Sequence, residues 1–248
     1  SLYHNLTGSN NTAIGYEAMV GTSTKSNSDC IAIGKGSMQG ARAGDKNIAI
    51  GVGAMGDTNA DDTVGASTNN LFIGYNAGGS ITQGQRNIAI GYESLDALAA
   101  GDQNVAIGHQ AVTAAANDEI GNICIGYLAG DSINHASADY NVFIGDQAGR
   151  GGLGAMIGCV GIGANALNST TSNPQTGSVA IGHDALTAVT SGVHNVAVGY
   201  SAGSPVTTGS YSTAVGHESL GVSAANVITG NFNTCFGYRS GYDIEGAS

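Results

Sequence analysis

The sequence predicts an all-β fold, a parallel β-solenoid, on three observations. A short motif, written NNTAIGYEAM at residues 10–19 and again as KNIAIGVGAM, RNIAIGYESL, QNVAIGHQAV and HNVAVGYSAG, returns thirteen times in 248 residues. The copies are nearly evenly spaced: most of the core glycines, Gly15, Gly34, Gly51, Gly74, Gly91, Gly108, Gly126, Gly145, Gly163, Gly182, Gly199, Gly216 and Gly237, follow one another at 17 to 19 residues, with longer steps of 23 before Gly74 and 21 before Gly237. No segment carries sustained helical periodicity; DALAAG, after Gly91, allows a single turn at most. Units of this size cannot each bury an apolar face alone, so they stack on their neighbours. About thirteen coils in one repeat domain, residues 1–248, are expected.

The slots of the repeat justify the strand in turn. The residue before the core glycine is apolar in every copy, from Ile14 through Ile107 to Phe236, and the one two places earlier is Val, Ile or Leu in ten, with Thr12, Thr213 and Thr234 in the rest. That alternation sets two β-branched side chains on one face of a short strand. This face is expected to form the core. The slot between them points the other way and is small in eleven copies, as at Ala13, Ala49, Gly161 and Cys235, with Phe72 and Phe143 the exceptions. The third residue after the glycine is Ala or Ser throughout. Small residues held at both slots imply a backbone in close approach, so both strand faces are expected to be covered, one by the chain's own coil and one by a second wall.

Four residues before the glycine stands Asn in nine copies: Asn11, Asn47, Asn70, Asn87, Asn104, Asn122, Asn141, Asn195 and Asn233. Coils stacked about 4.8 Å apart let such amides bond from coil to coil as a structural ladder. Asn also serves the turn that enters a strand, and the two roles are compatible. The slot after the glycine holds Tyr16, Tyr75, Tyr92, Tyr127, Tyr200 and Tyr238, with His109, His183 and His217 in three other copies, which predicts an aromatic stripe along the surface. Segments rich in Gly, Ser, Thr, Asn and Asp join the motifs and carry the length variation, as turns and loops do.

Composition narrows the function. A hydrophobic content of 42% argues against disorder, although only 10% of residues are charged. A formal charge of -11 with seven Lys and Arg excludes a nucleic-acid partner, because phosphate contacts need clustered basic residues. No run of about 18 apolar residues is present to span a membrane.

The segment IGYEAM also fits the hexapeptide pattern of left-handed β-helices, but only one third of each coil does so. A homo-oligomer is therefore expected, a trimer or a head-to-tail filament, in which several chains share an axial core. Thirteen coils would extend about 60 Å.

The N-V-A-I-G-x-x-A unit resembles the head repeats of trimeric autotransporter adhesins, and SLYHNLTGSNNTAIGYEAM at residues 1–19 resembles the repeats of bacteriophage tail fibres. The likeness runs over nearly the whole chain, with a longer repeat here than in the autotransporter heads. It implies a non-catalytic, extracellular fibre segment at a cell surface or on a virion, trimeric and without cofactors; the Tyr stripe and the polar loops suit weak, multivalent contact with cell-surface glycans. Both chain ends fall inside a repeat, Ser1-Leu2 matching Ser219-Leu220 and residues 246–248 matching residues 65–67, so a segment of a longer fibre is expected.

The groups that could carry chemistry have plainer readings beside the sharper ones. Cys30 and Cys159 occupy Asn slots, and Cys124 and Cys235 occupy small slots, coils apart and out of reach of one another. They read as buried free thiols or as links between equivalent chains. His183-Asp184 and His217-Glu218 each place a His in a Tyr slot; a hexapeptide-type acyltransferase with a catalytic His is the alternative function. Asp57, Asp61 and Asp62 share the longest insertion and are weak candidates for calcium, though their spacing matches no known calcium loop.

Overall fold

The computed structural model describes residues 8–20, 27–40, 44–56, 67–113, 119–131, 133, 137–151, 155–168, 175–221 and 227–242. Asp57, Asp61 and Asp62 lie outside them. The described residues are all β and turn, without a helix, and the fold is a parallel β-solenoid.

The chain divides into two compact units, Ser1–Asn122 and Ile123–Ser248. The first contains β1 (Thr12–Ile14), β2 (Ile31–Ile33), β3 (Ile48–Ile50), β4 (Leu71–Ile73), β5 (Ile88–Ile90) and β6 (Val105–Ile107), paired in chain order and all parallel. The second contains β7 (Ile123–Ile125), β8 (Val142–Ile144), β9 (Met156–Ile157), β10 (Val160–Ile162), β11 (Gln175–Thr176), β12 (Val179–Ile181), β13 (Val196–Val198), β14 (Thr213–Val215) and β15 (Thr234–Phe236). Its main sheet runs β7-β8-β10-β12-β13-β14-β15, and β9 pairs with β11 as a separate parallel ribbon.

Register follows the repeat slot for slot. Ile31, Ala32 and Ile33 sit beside Ile48, Ala49 and Ile50, and the other pairs in each unit repeat the pattern. The backbone groups of each strand are satisfied by the coils on either side: Ile31 N–H donates to the Asn47 carbonyl at 2.9 Å, and Gly51 N–H to that of Ile33 at 2.7 Å. Between strands the chain turns through residues with left-handed backbone at fixed places: five before the core glycine (Asp29, φ 58; Arg86, φ 58), two after it (Glu17, φ 54; Glu93, φ 50) and four after it (Met19, φ 53; Leu95, φ 53). The core glycine is needed for a different reason. At Gly91, φ +140, an added Cβ would run into the carbonyl of Gly108 in the next coil.

The faces of the strand are the reverse of those the sequence led us to expect. The small middle residues Ala32, Ala49, Ala89, Ala106, Ala180 and Ala197 are wholly buried, and they face the inside of their own coil. The flanking Ile and Val residues point outward and remain partly accessible. The cause is width: a coil of this length encloses a space too narrow for β-branched chains on the strand once the opposite wall contributes its own. That opposite wall supplies Met19, Met38, Met55, Leu95, Leu167, Leu186 and Leu220, all four residues after a core glycine and buried against the alanines. Each such burial contributes about 1.5–3 kcal/mol.

Interior volume is exchanged within a coil. Where the strand carries Phe72 or Phe143, the residue four after the glycine is Gly78 or Gly149, and a Cβ added at Gly78 would come within 2.9 Å of the Phe72 ring. Gly203, whose coil carries Ala197, has its space filled instead by Leu186 of the preceding coil, 2.8 Å from an added Cβ, so interior density is kept either within a coil or from its neighbour.

Candidate functional site

The outward residues of the strands line up as apolar columns in each unit. In the first unit the columns Ile31, Ile48, Leu71, Ile88, Val105 and Ile33, Ile50, Ile73, Ile90, Ile107 lie side by side in register. In the second, Val142, Val160, Val179, Val196 and Ile144, Ile162, Ile181, Val198 do the same. Most of these residues are partly accessible, Ile123 at 36% and Ile181 at 38%, and Ile14 and Phe236, on the first and last strands, reach 59% and 66%. Contiguous apolar walls of this kind on a single chain mark an interaction surface.

Two further columns border the wall. On one edge, one residue after the core glycine, the predicted aromatic slot gives stacked rings: Tyr75 on Tyr92 at 5.2 Å and Tyr92 on His109 at 5.0 Å in the first unit. In the second, His183 stacks on Tyr200 at 5.4 Å and Tyr200 on His217 at 5.0 Å, with Tyr238 tilted at 5.5 Å beyond. Tyr16 and Tyr127 occupy the same slot and are exposed. On the opposite edge, five before the glycine, a second stack of His194, Tyr211 and Phe232 runs at 5.2 and 5.4 Å. The sequence reading missed this stack, although three aromatic residues at one slot in consecutive copies were there to signal it.

The asparagines lie inside. Asn47, Asn70, Asn87, Asn104, Asn122, Asn141 and Asn195 are buried, while Asn11 and Asn233 are partly so. In the first unit Asn47 Oδ1 accepts from the Asn70 N–H at 2.9 Å, Asn70 Oδ1 from the Asn87 N–H at 2.8 Å, and Asn87 Oδ1 from the Asn104 N–H at 2.9 Å. Each amide nitrogen reaches a turn carbonyl: Asn70 donates to Gly84 at 2.9 Å and Asn87 to Gly101 at 2.7 Å. Asn122 closes the first unit's ladder onto Asn104, its N–H 2.9 Å from Oδ1. In the second unit Asn141 accepts from the Cys159 N–H and Asn195 from the Ser212 N–H, both at 2.9 Å. At the chain's extremes Asn11 accepts from Cys30 N–H at 3.0 Å, and Asn233 donates to the Gly230 carbonyl at 2.8 Å. The amides therefore bond both to the next coil and to its turn, which gives them a structural task.

A groove of about 450 Å³ opens on the first unit beside the aromatic edge. Its floor is glycine, Gly36, Gly53, Gly56 and Gly79, where neighbouring coils carry side chains, and its rim holds Glu17, Lys35, Gln39, Asn76 and Asp96. Glu17 accepts from Gln39 at 3.0 Å. Burial, then the nearby Glu93 charge, raises the Asp96 carboxyl above the ordinary carboxylate value.

The histidine and carboxylate pairs stand at the surface. His183 Nδ1 lies 2.8 Å from Asp184, and His217 Nδ1 lies 3.9 Å from Glu218, whose carboxylate also holds Arg239 at 2.5 Å. Both His side chains are about half exposed, at 50% and 49%, and both belong to the aromatic stack. All four cysteines are free and buried. Burial pushes the Cys124 thiol far above its usual range, which makes it unreactive. Among the described residues no group of three or more His, Cys, Asp or Glu converges as metal ligands would, and no helix is long and apolar enough to cross a membrane.

Comparison of the chain with protein-family models, curated proteins and solved structures returns no match. The functional reading therefore rests on the surface itself.

Proposed function

We propose that this chain is a structural and adhesive segment of an extracellular fibre, as in a phage tail fibre or a bacterial surface appendage, and that further copies of the chain cover its apolar wall. The carrying observation is the wall: two adjacent columns of Ile and Val, in register from coil to coil, on the outside of each unit. Leaving it in water opposes the hydrophobic effect at every coil, and a repeating surface is most simply covered by one with the same repeat. A trimer sharing an axial core is the arrangement proposed. Sedimentation and electron microscopy test it. The wild-type chain is expected as a discrete oligomer or filament and Ile90→Asp as a folded, dissociated chain; monomeric wild-type protein at high concentration sinks the proposal.

Contact with cell-surface glycans is assigned to the groove, where a glycine floor and amide and carboxylate rims suit hydroxyl groups. Gly36→Gln restores the side chain that Gln110 supplies at the same slot, with the same left-handed backbone (Gly36, φ 65; Gln110, φ 51). It should abolish retention on glycan-coated beads without changing sedimentation; unchanged retention removes the groove from the proposal.

The acyltransferase alternative has the short His183–Asp184 contact in its favour. It requires acyl transfer that His183→Ala eliminates, and absence of turnover by the wild-type chain dismisses it.

A further inference from the structure

The two columns that border the apolar wall carry complementary groups in several coils. One lies five residues before the core glycine and the other one residue after it, six residues further along the chain. Within a chain they are at opposite edges of the wall, up to about 20 Å apart, and do not meet. Their chemistry is nevertheless correlated. Asp29 is the single carboxylate of the first column, and Lys35, in the same coil, is the single Lys or Arg of the second. Asp146, the single carboxylate of the second column, shares its coil with Tyr140. Arg86 shares a coil with Tyr92, and His194, Tyr211 and Phe232 share theirs with Tyr200, His217 and Tyr238. The Asp29 coil alone carries a Lys, Arg, Asp or Glu in both columns, and the two are of opposite sign; Lys46 shares its coil with Val52.

The aromatic columns already stack within the chain, so the pairing that intrachain contacts leave unexplained is that of the charged residues. Among the described residues neither Asp29 nor Lys35 forms an ion pair; Asp29 accepts a bond from Asn10 Nδ2 at 2.9 Å. Arg86 reaches only Asp102, in its own column's neighbourhood, at 3.9 Å. Tyr140 is 65% exposed and Phe232 75%.

Symmetry supplies the missing contact. A rotation about an axis along the stack brings one edge of a wall against the opposite edge of the next copy at the same level, for any number of copies. We propose that the chain associates with itself in parallel and in register, so that Asp29 faces Lys35 of the next copy, Arg86 lies over Tyr92, Tyr140 donates to Asp146, and the aromatic columns of the second unit close on one another. The edges then set the register that the uniform Ile and Val columns leave open, because sliding by one coil moves Asp29 from Lys35 to Val52 or Tyr16. This inference rests on the proposal that copies cover the wall, and adds which residues meet.

The test uses the full chain. Asp29→Cys with Lys35→Cys, oxidised with diamide, should give covalent oligomers quickly, since disulfides need Cα atoms within roughly 7 Å. Asp29→Cys with Tyr75→Cys, two coils out of register, should not. The four native thiols are buried and serve as an internal control. In parallel, Asp29→Lys and Lys35→Glu should each raise the dissociation constant roughly two- to fivefold per contact, and the double swap should return it to near the wild-type value. Lys46 and Asp146 already occupy these slots in other coils, so the backbone accepts both changes. Assembly with equal cross-linking in and out of register, or without rescue by the double swap, overturns the pairing alone. A chain that does not assemble overturns the pairing together with the covering of the wall.

Discussion

The exchange of volume between Phe72 and Gly78 gives a quantitative test of what fills the coil. Phe72 is fully buried, and Gly78 sits where Met or Leu stands in other coils, its would-be Cβ 2.9 Å from three ring carbons of Phe72. Phe72→Ala alone empties the ring's space and should cost about 3–5 kcal/mol. Gly78→Leu alone drives a side chain into that ring, at about 1–3 kcal/mol for overpacking. The left-handed backbone at Gly78, φ 62, adds little that is new to the repeat, since Leu95 holds φ 53 at the equivalent place. The double variant recreates the Ala89 and Leu95 pair of the next coil, so its loss should stay below about 2 kcal/mol, a favourable coupling of at least about 2 kcal/mol. Because stacked repeats can unfold piecemeal, urea denaturation followed by far-ultraviolet circular dichroism should be paired with hydrogen exchange at the Leu71 and Ile88 amides. Losses that simply add would refute the claim that the two residues share one space.

Two further perturbations follow from the interior and the groove. Asn87→Ala leaves the Asn104 N–H and the Gly101 carbonyl without the partners they have at 2.9 and 2.7 Å, which should cost about 2–5 kcal/mol and accelerate amide exchange at Asn104; exchange unchanged there would deny the ladder its role. Asp96 has its folded-state pKa raised above the ordinary 3.8, mainly by burial. The folded chain therefore holds its proton more tightly than the unfolded one, and stability falls as pH rises from the ordinary carboxylate value through the raised one. Melting curves of Asp96→Asn should lack that fall; a variant with the wild-type pH profile contradicts the assignment.

The period, the strand positions and the parallel register were legible because the same residues recur at the same slots, and stacking identical units leaves few alternatives. Which strand face is the inside was not. Ile and Val read as core by hydrophobicity, whereas the decisive quantity is the space enclosed by a short coil, which admits Ala32 or Ala89 opposite Met38 or Leu95 and leaves Ile33 and Ile90 outside. The invariably small slots did carry the signal of close packing, attached to the wrong partner. Left-handed backbone at Glu17, Lys46 or Arg86 was marked only in other copies, where Gly36 and Gly53 or Asn10, Gly121 and Gly158 hold the same slots; at these three residues neighbouring coils enforce the turn. The Tyr and His slot could be read as a stripe, but the ring stacking and the second column of His194, Tyr211 and Phe232 needed the geometry of the turn before the strand. The groove arises from what is missing, side chains at Gly36, Gly53, Gly56 and Gly79, and becomes visible only against the occupied coils beside it.

The central claim, small residues within each coil and an Ile and Val wall turned toward other copies, is tested most directly by thiol labelling of two adjacent positions. Ala89→Cys places sulfur in a slot that Cys124 and Cys235 already fill, and Ile90→Cys places it on the wall. With maleimide uptake read by mass spectrometry across concentrations that span dissociation, Ala89→Cys should stay unlabelled throughout, and Ile90→Cys should label in the dissociated chain and become protected as copies assemble. Labelling of Ala89→Cys while Ile90→Cys stays inert at every concentration would contradict the account.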